Sequence, residues 1–399
     1  MRQVKLLVFL GVILIAGMSF TGFDCSSTEL TSAKLYIQQK NLPKAVEALH
    51  KEVEKNPKSD EGYYLLGYIQ GENEDITSMV ASFDKSLAIS QKFAKQIADQ
   101  RKIHWANSFN KGVGLYNKGV GSTNPDTMKI FFDKAIVAFN NSITLLPDSA
   151  GGYKNLAFVY LSAQRYDEAI APLERLNSIT KTADGFRFLG EIQYNKGVSS
   201  MSKYSSSKKL EDSLGAMDHY EKAIKVLEEG RKYFPDDQNI LLLLSNSYIG
   251  ANKITVAIDA FKTGVQKDPK NKYYRYNYGV LLLGANKFED AIENFKVAVE
   301  VDPEYVNAIY NMVASYAKWG ATIVKDIDEK KLDPSSAEYK EKASQAKEKF
   351  NLAIPYMEKV VKLKDNDASM WELLGKIYAN VGQNDKANEA YKKADQLRK

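Results

Sequence analysis

Cysteine occurs once in 399 residues, at Cys25, and histidine three times, at His50, His104 and His219. A lone cysteine excludes intrachain disulfides, so packing must hold the chain together. The histidines are far apart and have no carboxylate or second cysteine at metal-ligand spacing, which leaves no pattern for zinc. No Gly-x-Ser-x-Gly, no His-Glu-x-x-His and no phosphate loop is present. Gly112, Gly114 and Gly119 lie close together but lack a following Lys-Ser/Thr pair. No catalytic residue, cofactor or metal is therefore expected. Neither sign of charge dominates: 55 basic against 50 acidic residues, interspersed, give a net charge of +5, which makes no case for a nucleic-acid partner. Proline is scarce, ten in all, and Pro57, Pro147, Pro235, Pro269 and Pro303 each close an apolar-periodic segment.

A long uninterrupted apolar run occurs only at the N-terminus. Arg2 and Lys5 precede a stretch without polar side chains from Leu6 to Ala16, and its apolar character continues to Phe23. That is the layout of a secretory signal over residues 1–24. The stretch of about 20 residues from Val4 is also long enough for an uncleaved anchor. Either reading exports the rest of the chain, because the positive end stays inside. Cys25 follows directly, and then Ser26-Ser27. This resembles the start of a mature bacterial lipoprotein, which implies lipidation of Cys25 and a membrane-anchored place in the cell envelope, on the periplasmic or outer-surface side. The box before the cysteine departs from that family, with Asp24 and Gly22 where a small residue and Leu are usual.

The rest of the chain, residues 25–399, is helical in period. In the stretch from Lys272 to Pro303, Tyr278, Leu281, Leu282 and Ala285 share one helical face, Asn286 and Lys287 break it, and Phe288, Ala291, Ile292, Phe295, Ala298 and Val299 share another. Two short amphipathic helices cannot bury these faces alone, so the hairpin needs neighbours. They are present. A 34-residue step back from Pro303 reaches Pro269, with Leu241, Leu244, Ser245, Tyr248, Ala257 and Phe261 in register, and the pattern resumes at Trp371, Leu374, Gly375, Tyr378, Ala387, Tyr391 and Ala394. Nine units start near residues 26, 60, 102, 150, 183, 238, 272, 306 and 368.

This pattern resembles the tetratricopeptide repeat: Tyr278, Gly279, Leu282, Ala291, Phe295, Ala298 and Pro303 occupy its large, small, large, small, aromatic, small and proline positions. Arg275 departs from the usual aromatic. The resemblance implies an all-α solenoid, a right-handed superhelix of about nine helical hairpins. Three units carry longer connections between their helices: around GVGSTNPDT in the third, along the polar run Ser199–Ser213 in the fifth, and along the charged segment Lys325–Lys349 in the eighth. Identical words, YNKGV at 116–120 and 194–198, lead into the first two. Loop growth at exposed tips and projecting hairpins are both consistent with these insertions. Pro172 lies within the second helix of the fourth unit, where a kink is expected.

The resemblance also implies a protein or peptide partner held along the first helices of consecutive hairpins. Its groove positions fall on Asn239, Leu242 and Asn246 in the sixth unit, Tyr273, Tyr276, Asn277 and Val280 in the seventh, and Asn307, Tyr310 and Asn311 in the eighth. Amides, tyrosines and aliphatics suit an extended backbone with apolar side chains. The family's carboxylate clamp is not expected, because Leu242, Asn307 and Asn311 stand where it needs charged residues. An exported, membrane-tethered scaffold without catalysis follows, and a self-assembling envelope protein is the alternative.

Overall fold

A computed structural model describes residues 27 to 398, so the signal or anchor and Cys25 lie outside the described residues. Eighteen helices and no strand occur among those residues. They pair as nine hairpins. The first three are α1 (Thr28–Gln38) with α2 (Leu42–Lys55), α3 (Asp60–Glu72) with α4 (Ile76–Ile89), and α5 (Ala94–Val120) with α6 (Pro125–Leu145). The next three are α7 (Ala150–Ser162) with α8 (Tyr166–Ile179), α9 (Ala183–Ser207) with α10 (Leu210–Tyr233), and α11 (Gln238–Gly250) with α12 (Ile254–Lys267). The last three are α13 (Lys272–Gly284) with α14 (Phe288–Val301), α15 (Val306–Glu329) with α16 (Ala337–Leu363), and α17 (Ala368–Asn380) with α18 (Asn384–Leu397). The chain divides into two compact units, Met1–Asp148 and Ser149–Lys399. Leu146-Pro147 closes the third hairpin as similar pairs with Pro57, Pro235, Pro269 and Pro303 close the first, fifth, sixth and seventh, so the sequence carries no special mark at this division.

Each regular hairpin turns in the same way. Lys40, Glu74, Gln164, Asn252 and Asn286 take φ between 55° and 59°, and Gly382 takes 81°. The N–H of the next residue then returns to a carbonyl inside the first helix, as from Lys287 to Leu282 at 2.8 Å and from Arg165 to Tyr160 at 2.8 Å. Such a left-handed cap satisfies carbonyls that the helix end would otherwise strand. Asn286 and Lys287, read above only as a break in period, are this cap.

Within a hairpin, a small residue on the first helix meets a large one on the second. A methyl group added at Gly279 would lie 2.7 Å from Phe295, and one added at Gly67 would lie 2.6 Å from Phe83. Glycine there lets the backbones approach until the ring fills the space between them. Phe83, Phe139, Phe261 and Phe295 are fully buried as a result. In the second unit the core runs on from hairpin to hairpin: one cluster joins Phe186, Leu227, Leu241, Phe261 and Tyr274, and another joins Phe295, Ile309, Met357, Leu374 and Ala387.

The three longer connections are helix, not loop. GVGSTNPDT breaks only at residues 121–124, the serine-rich run is helical to Ser207 and again from Leu210, and the charged segment is helical to Glu329 and again from Ala337. The third hairpin also begins earlier than its repeat register, at Ala94. The small-to-large contact recurs seven residues further out on each arm. Gly112 meets Phe139 and Gly119 meets Phe132; Gly190 meets Leu227 and Gly197 meets Tyr220. Seven residues is the spacing at which two antiparallel helices present the same face to each other. The duplicated YNKGV is explained by it: Tyr116 stacks on Phe132 at 5.9 Å beside Gly119, and Tyr194 lies against Tyr220 at 5.8 Å beside Gly197. In the eighth hairpin Gly320 meets Phe350. Pro172 lies buried within α8, which continues through it to Ile179.

Two glycines on α5 separate the effect of this contact from helix propensity. A methyl group at Gly112 would lie 2.8 Å from Phe139, whereas Gly114 has nothing within 4 Å. Gly112→Ala is expected to cost about 1 to 3 kcal/mol by overpacking. Gly114→Ala should gain about 0.5 to 1 kcal/mol because alanine loses less backbone entropy in a helix. Urea denaturation of the two variants reads the opposite signs.

Candidate functional site

The first helices α11, α13 and α15 are neighbours in the stack, and Gln238, Lys272 and Val306 open them at a step of 34 residues. Their N-termini are set differently. Asp237 and Asn271 cap α11 and α13 by accepting two backbone N–H groups each, while Tyr305 stands before α15 without a capping bond.

Of the ten groove residues read from the sequence, several are consumed by the stack itself. Tyr276 is only 7% exposed, with its ring 5.1 Å from Tyr305 and 6.0 Å from Phe295. Its hydroxyl accepts a hydrogen bond from Asn311 Nδ2 at 3.0 Å. Asn277 is 1% exposed: it accepts from Ser245 Oγ at 3.1 Å and donates to the Tyr273 carbonyl at 2.8 Å. Tyr276 and Asn277 are therefore not offered to a ligand. They join the sixth, seventh and eighth units, because a buried amide or phenol must find its partners inside the protein. Asn239 and Asn307 are exposed, and Leu242, Asn246, Tyr273, Val280, Tyr310 and Asn311 are half-buried. These remain as a surface.

Two contributors escaped the sequence reading. Tyr305 lies between helices, so it has no helical period to betray it, yet its ring faces both Tyr273 at 6.4 Å and Tyr276. Burial raises its pKa, and the neighbouring tyrosines add to the shift. Lys272 places its ammonium 5.1 Å from the Tyr273 ring and 5.6 Å from that of Tyr305, and it pairs with Asp302 at 2.7 Å. The hydrogen bond between them raises the lysine and lowers the carboxylate. Gln238 and Val306 stand at the same position of the flanking units, so no recurring lysine in the sequence marks it. Arg275, the departure from the repeat pattern, donates to the Pro269 carbonyl at 2.8 Å and to Asn294 Oδ1 at 3.0 Å. Tyr274 instead supplies the bulk, packed edge-on against Phe261.

Elsewhere two of the three histidines are held against neighbouring helices, and His50 is exposed. His219 Nδ1 lies 2.9 Å from Gln193 Oε1, and the His104 ring packs against Gly71, where burial lowers its pKa. Among the described residues no group of three His, Cys, Asp or Glu side chains could hold a metal ion.

An all-α array of helical hairpins built this way is a repeat solenoid. Tetratricopeptide repeat family models match residues 242–306, 60–93 and 368–399, so the chain carries tetratricopeptide repeats, a module of protein-protein interaction. Among solved structures, the chain is similar to MamA, with 20% identity over 48% of this chain and 95% of that one at a TM-score of 0.32. It is also similar to TTC0263, a thermophilic tetratricopeptide protein of Thermus thermophilus, with 17% identity over 53% of this chain and 98% of that one at 0.32. YrrB, described as a tetratricopeptide protein with an unusual peptide-binding site, shares 15% identity over 67% of this chain and 98% of its own at 0.31. Among curated proteins, none matches the chain in sequence.

Two expectations separate brace from surface. Asn277→Ala removes the bond from Ser245 Oγ that joins the sixth and seventh units, leaving Ser245 its bond to the Leu242 carbonyl alone, and should cost about 1 to 2 kcal/mol. Tyr310→Ala, on the half-buried surface, should cost less; chemical denaturation compares them. At alkaline pH the tyrosines themselves act. Tyr248, buried and hydrogen-bonded to Glu228 at 3.0 Å, is pushed up from 10 to about 12. The folded state thus favours the protonated phenol, and this contribution is full below pH 10 and lost as pH rises through 10 to 12. Stability should fall across that window, less steeply in Tyr248→Phe.

Proposed function

We propose that the chain is an exported, membrane-tethered scaffold of the bacterial cell envelope that holds a protein or peptide partner along α11, α13 and α15 and catalyses nothing. The observation that carries this reading is the division of labour along those helices. Tyr276, Asn277 and Asn311 bond the units to one another, while Asn239, Leu242, Asn246, Tyr273, Val280, Asn307 and Tyr310 keep part of their surface in solvent. A partner therefore meets a rigid row of amides, tyrosines and aliphatics whose backbone is already fixed, which lowers the entropy lost on binding. No fixed charge dominates the row, so an extended, uncharged segment fits it better than an acidic tail.

The tether rests on the sequence alone: Arg2 and Lys5, the apolar run, and the single Cys25. No helix among the described residues is long and apolar enough to cross a membrane. Self-assembly is a second reading, favoured by Ile103, Val120, Ile130 and Val137, large apolar side chains exposed on the third hairpin.

Capture of partners from solubilised envelope, followed by affinity measurement, tests the first reading. Tyr310→Ala and Asn307→Ala should each weaken binding by about 1 to 2 kcal/mol, roughly five- to thirtyfold, with an unchanged helical circular dichroism spectrum. An affinity that ignores both yet falls on deletion of residues 325–346 places the site on the eighth hairpin. Cys25→Ala should release the chain from the membrane and abolish labelling by a fatty-acid analogue; no label on the unaltered chain contradicts lipidation. Light scattering of residues 26–399 addresses the second reading, and a monodisperse monomer counts against it.

A further inference from the structure

The fifth hairpin ends in a surface that partner binding along the first helices does not use. Beyond the contact of Gly197 with Tyr220, α9 runs on to Ser207, Lys208 and Lys209 make the turn, and α10 starts at Leu210. Leu210 is 69% exposed, more than any other large apolar side chain among the described residues, and Leu214 is 60% exposed. Four residues apart on α10, they form one stripe. Two leucines held in water at a helical tip are unfavourable unless something covers them.

Charge frames the stripe. Lys203, Lys208 and Lys209 are all exposed at the tip, and the Lys208 ammonium lies 5.8 Å from the ring of Tyr204. Lys208 holds φ 56°. Lys209 occupies the N-cap of α10, where no side chain accepts the first N–H groups and a cation opposes the helix dipole. The same left-handed residue and cationic N-cap occur in regular hairpins, at Asn252-Lys253 and Asn286-Lys287, so what sets this tip apart is the exposed leucine pair beside its lysines. The two acids of the stretch are turned aside: Glu211 and Asp212 project about 100° and 200° around α10 from Leu210, and Asp212 accepts from the Ser207 hydroxyl.

We propose that the tip of the fifth hairpin docks on an anionic lipid surface, with Leu210 and Leu214 entering the boundary between headgroups and acyl chains and Lys203, Lys208 and Lys209 meeting lipid phosphates. Long lysine stems reach headgroups while their neighbours bury, and tyrosine suits the same depth. A protein groove fits less well, because two leucines on one turn cover far less than the roughly 800 Å² per partner of a stable protein interface. The contact rests on the hairpin's own residues and not on Cys25, although a tether at the N-terminus would keep a weak contact engaged.

The test uses the full chain as Cys25→Ala with Ser206→Cys, an exposed tip position that leaves both leucines in place, labelled with an environment-sensitive fluorophore. Thr263→Cys on α12 is the comparison site. Vesicles of phosphatidylcholine, alone or with about one third phosphatidylglycerol, are added, with brominated acyl chains as quenchers. A blue shift and quenching at 206 but not at 263 is expected on the anionic vesicles. Leu210→Ser with Leu214→Ser should reduce it about tenfold or more, and raised salt should weaken it. An unshifted label overturns the tip contact whether or not the chain floats with the vesicles, and it leaves the lipid tether untouched, because Cys25 is absent from this variant. A shift that grows with protein concentration in the absence of vesicles assigns the leucines to a second copy of the chain and overturns the lipid contact.

Discussion

The close approach of two helices, a small residue on one against a large side chain on the other, is the contact on which everything else depends. An isolated helix of 13 or 14 residues is marginal in water, and every regular hairpin here is built from helices of about that length. What makes them persist is burial of rings such as Phe295 and Phe83 between backbones that glycine or alanine allows to come near. The left-handed cap at Asn286 and its counterparts sets the angle at which the second helix returns. Stacking then adds one hairpin's outer face to the core of the next, so stability accrues along the array by neighbour contacts rather than around a single centre.

The same contact explains how three hairpins grow without losing order. Repeating it at seven-residue steps, from Gly190 and Leu227 to Gly197 and Tyr220, lengthens both arms in step and keeps the facing surfaces aligned. Ion pairs join the lengthened arms to flanking hairpins, as Lys111 with Glu74 and Lys253 with Glu221. Such exposed pairs contribute little each; the buried rings do most of the holding. A longer arm carries side chains out of the shelter of neighbouring hairpins, which is why exposed apolar residues gather on these arms.

Much of the architecture was legible in the sequence, and for a definite reason. A 34-residue register makes the helix starts at Gln238, Lys272 and Val306 readable, since one amphipathic period repeats in phase. The Ser199–Ser213 run was harder: serine and lysine have no apolar period, so its helicity follows from the arm beside it rather than from its own composition. The groove was legible only in part. A repeat position states which face a residue occupies, not whether a neighbour from the next unit already takes its polar atoms. Asn277 and Tyr276 occupy groove positions, yet Ser245 and Asn311 reach them first. Tyr305 sits between helices, where periodicity has nothing to say.

Helix continuing through the insertions is the point where the packing described here differs most from a solenoid with loops grafted on. Hydrogen exchange resolved across residues 186–234 measures it directly. Slow exchange should persist on both arms past Gly190 and Leu227 as far as Gly197 and Tyr220, with fast exchange confined to the tip near Lys208 and Lys209. Exchange at open-chain rates from Tyr194 through Ala223 would contradict it, because that is how an inserted loop behaves.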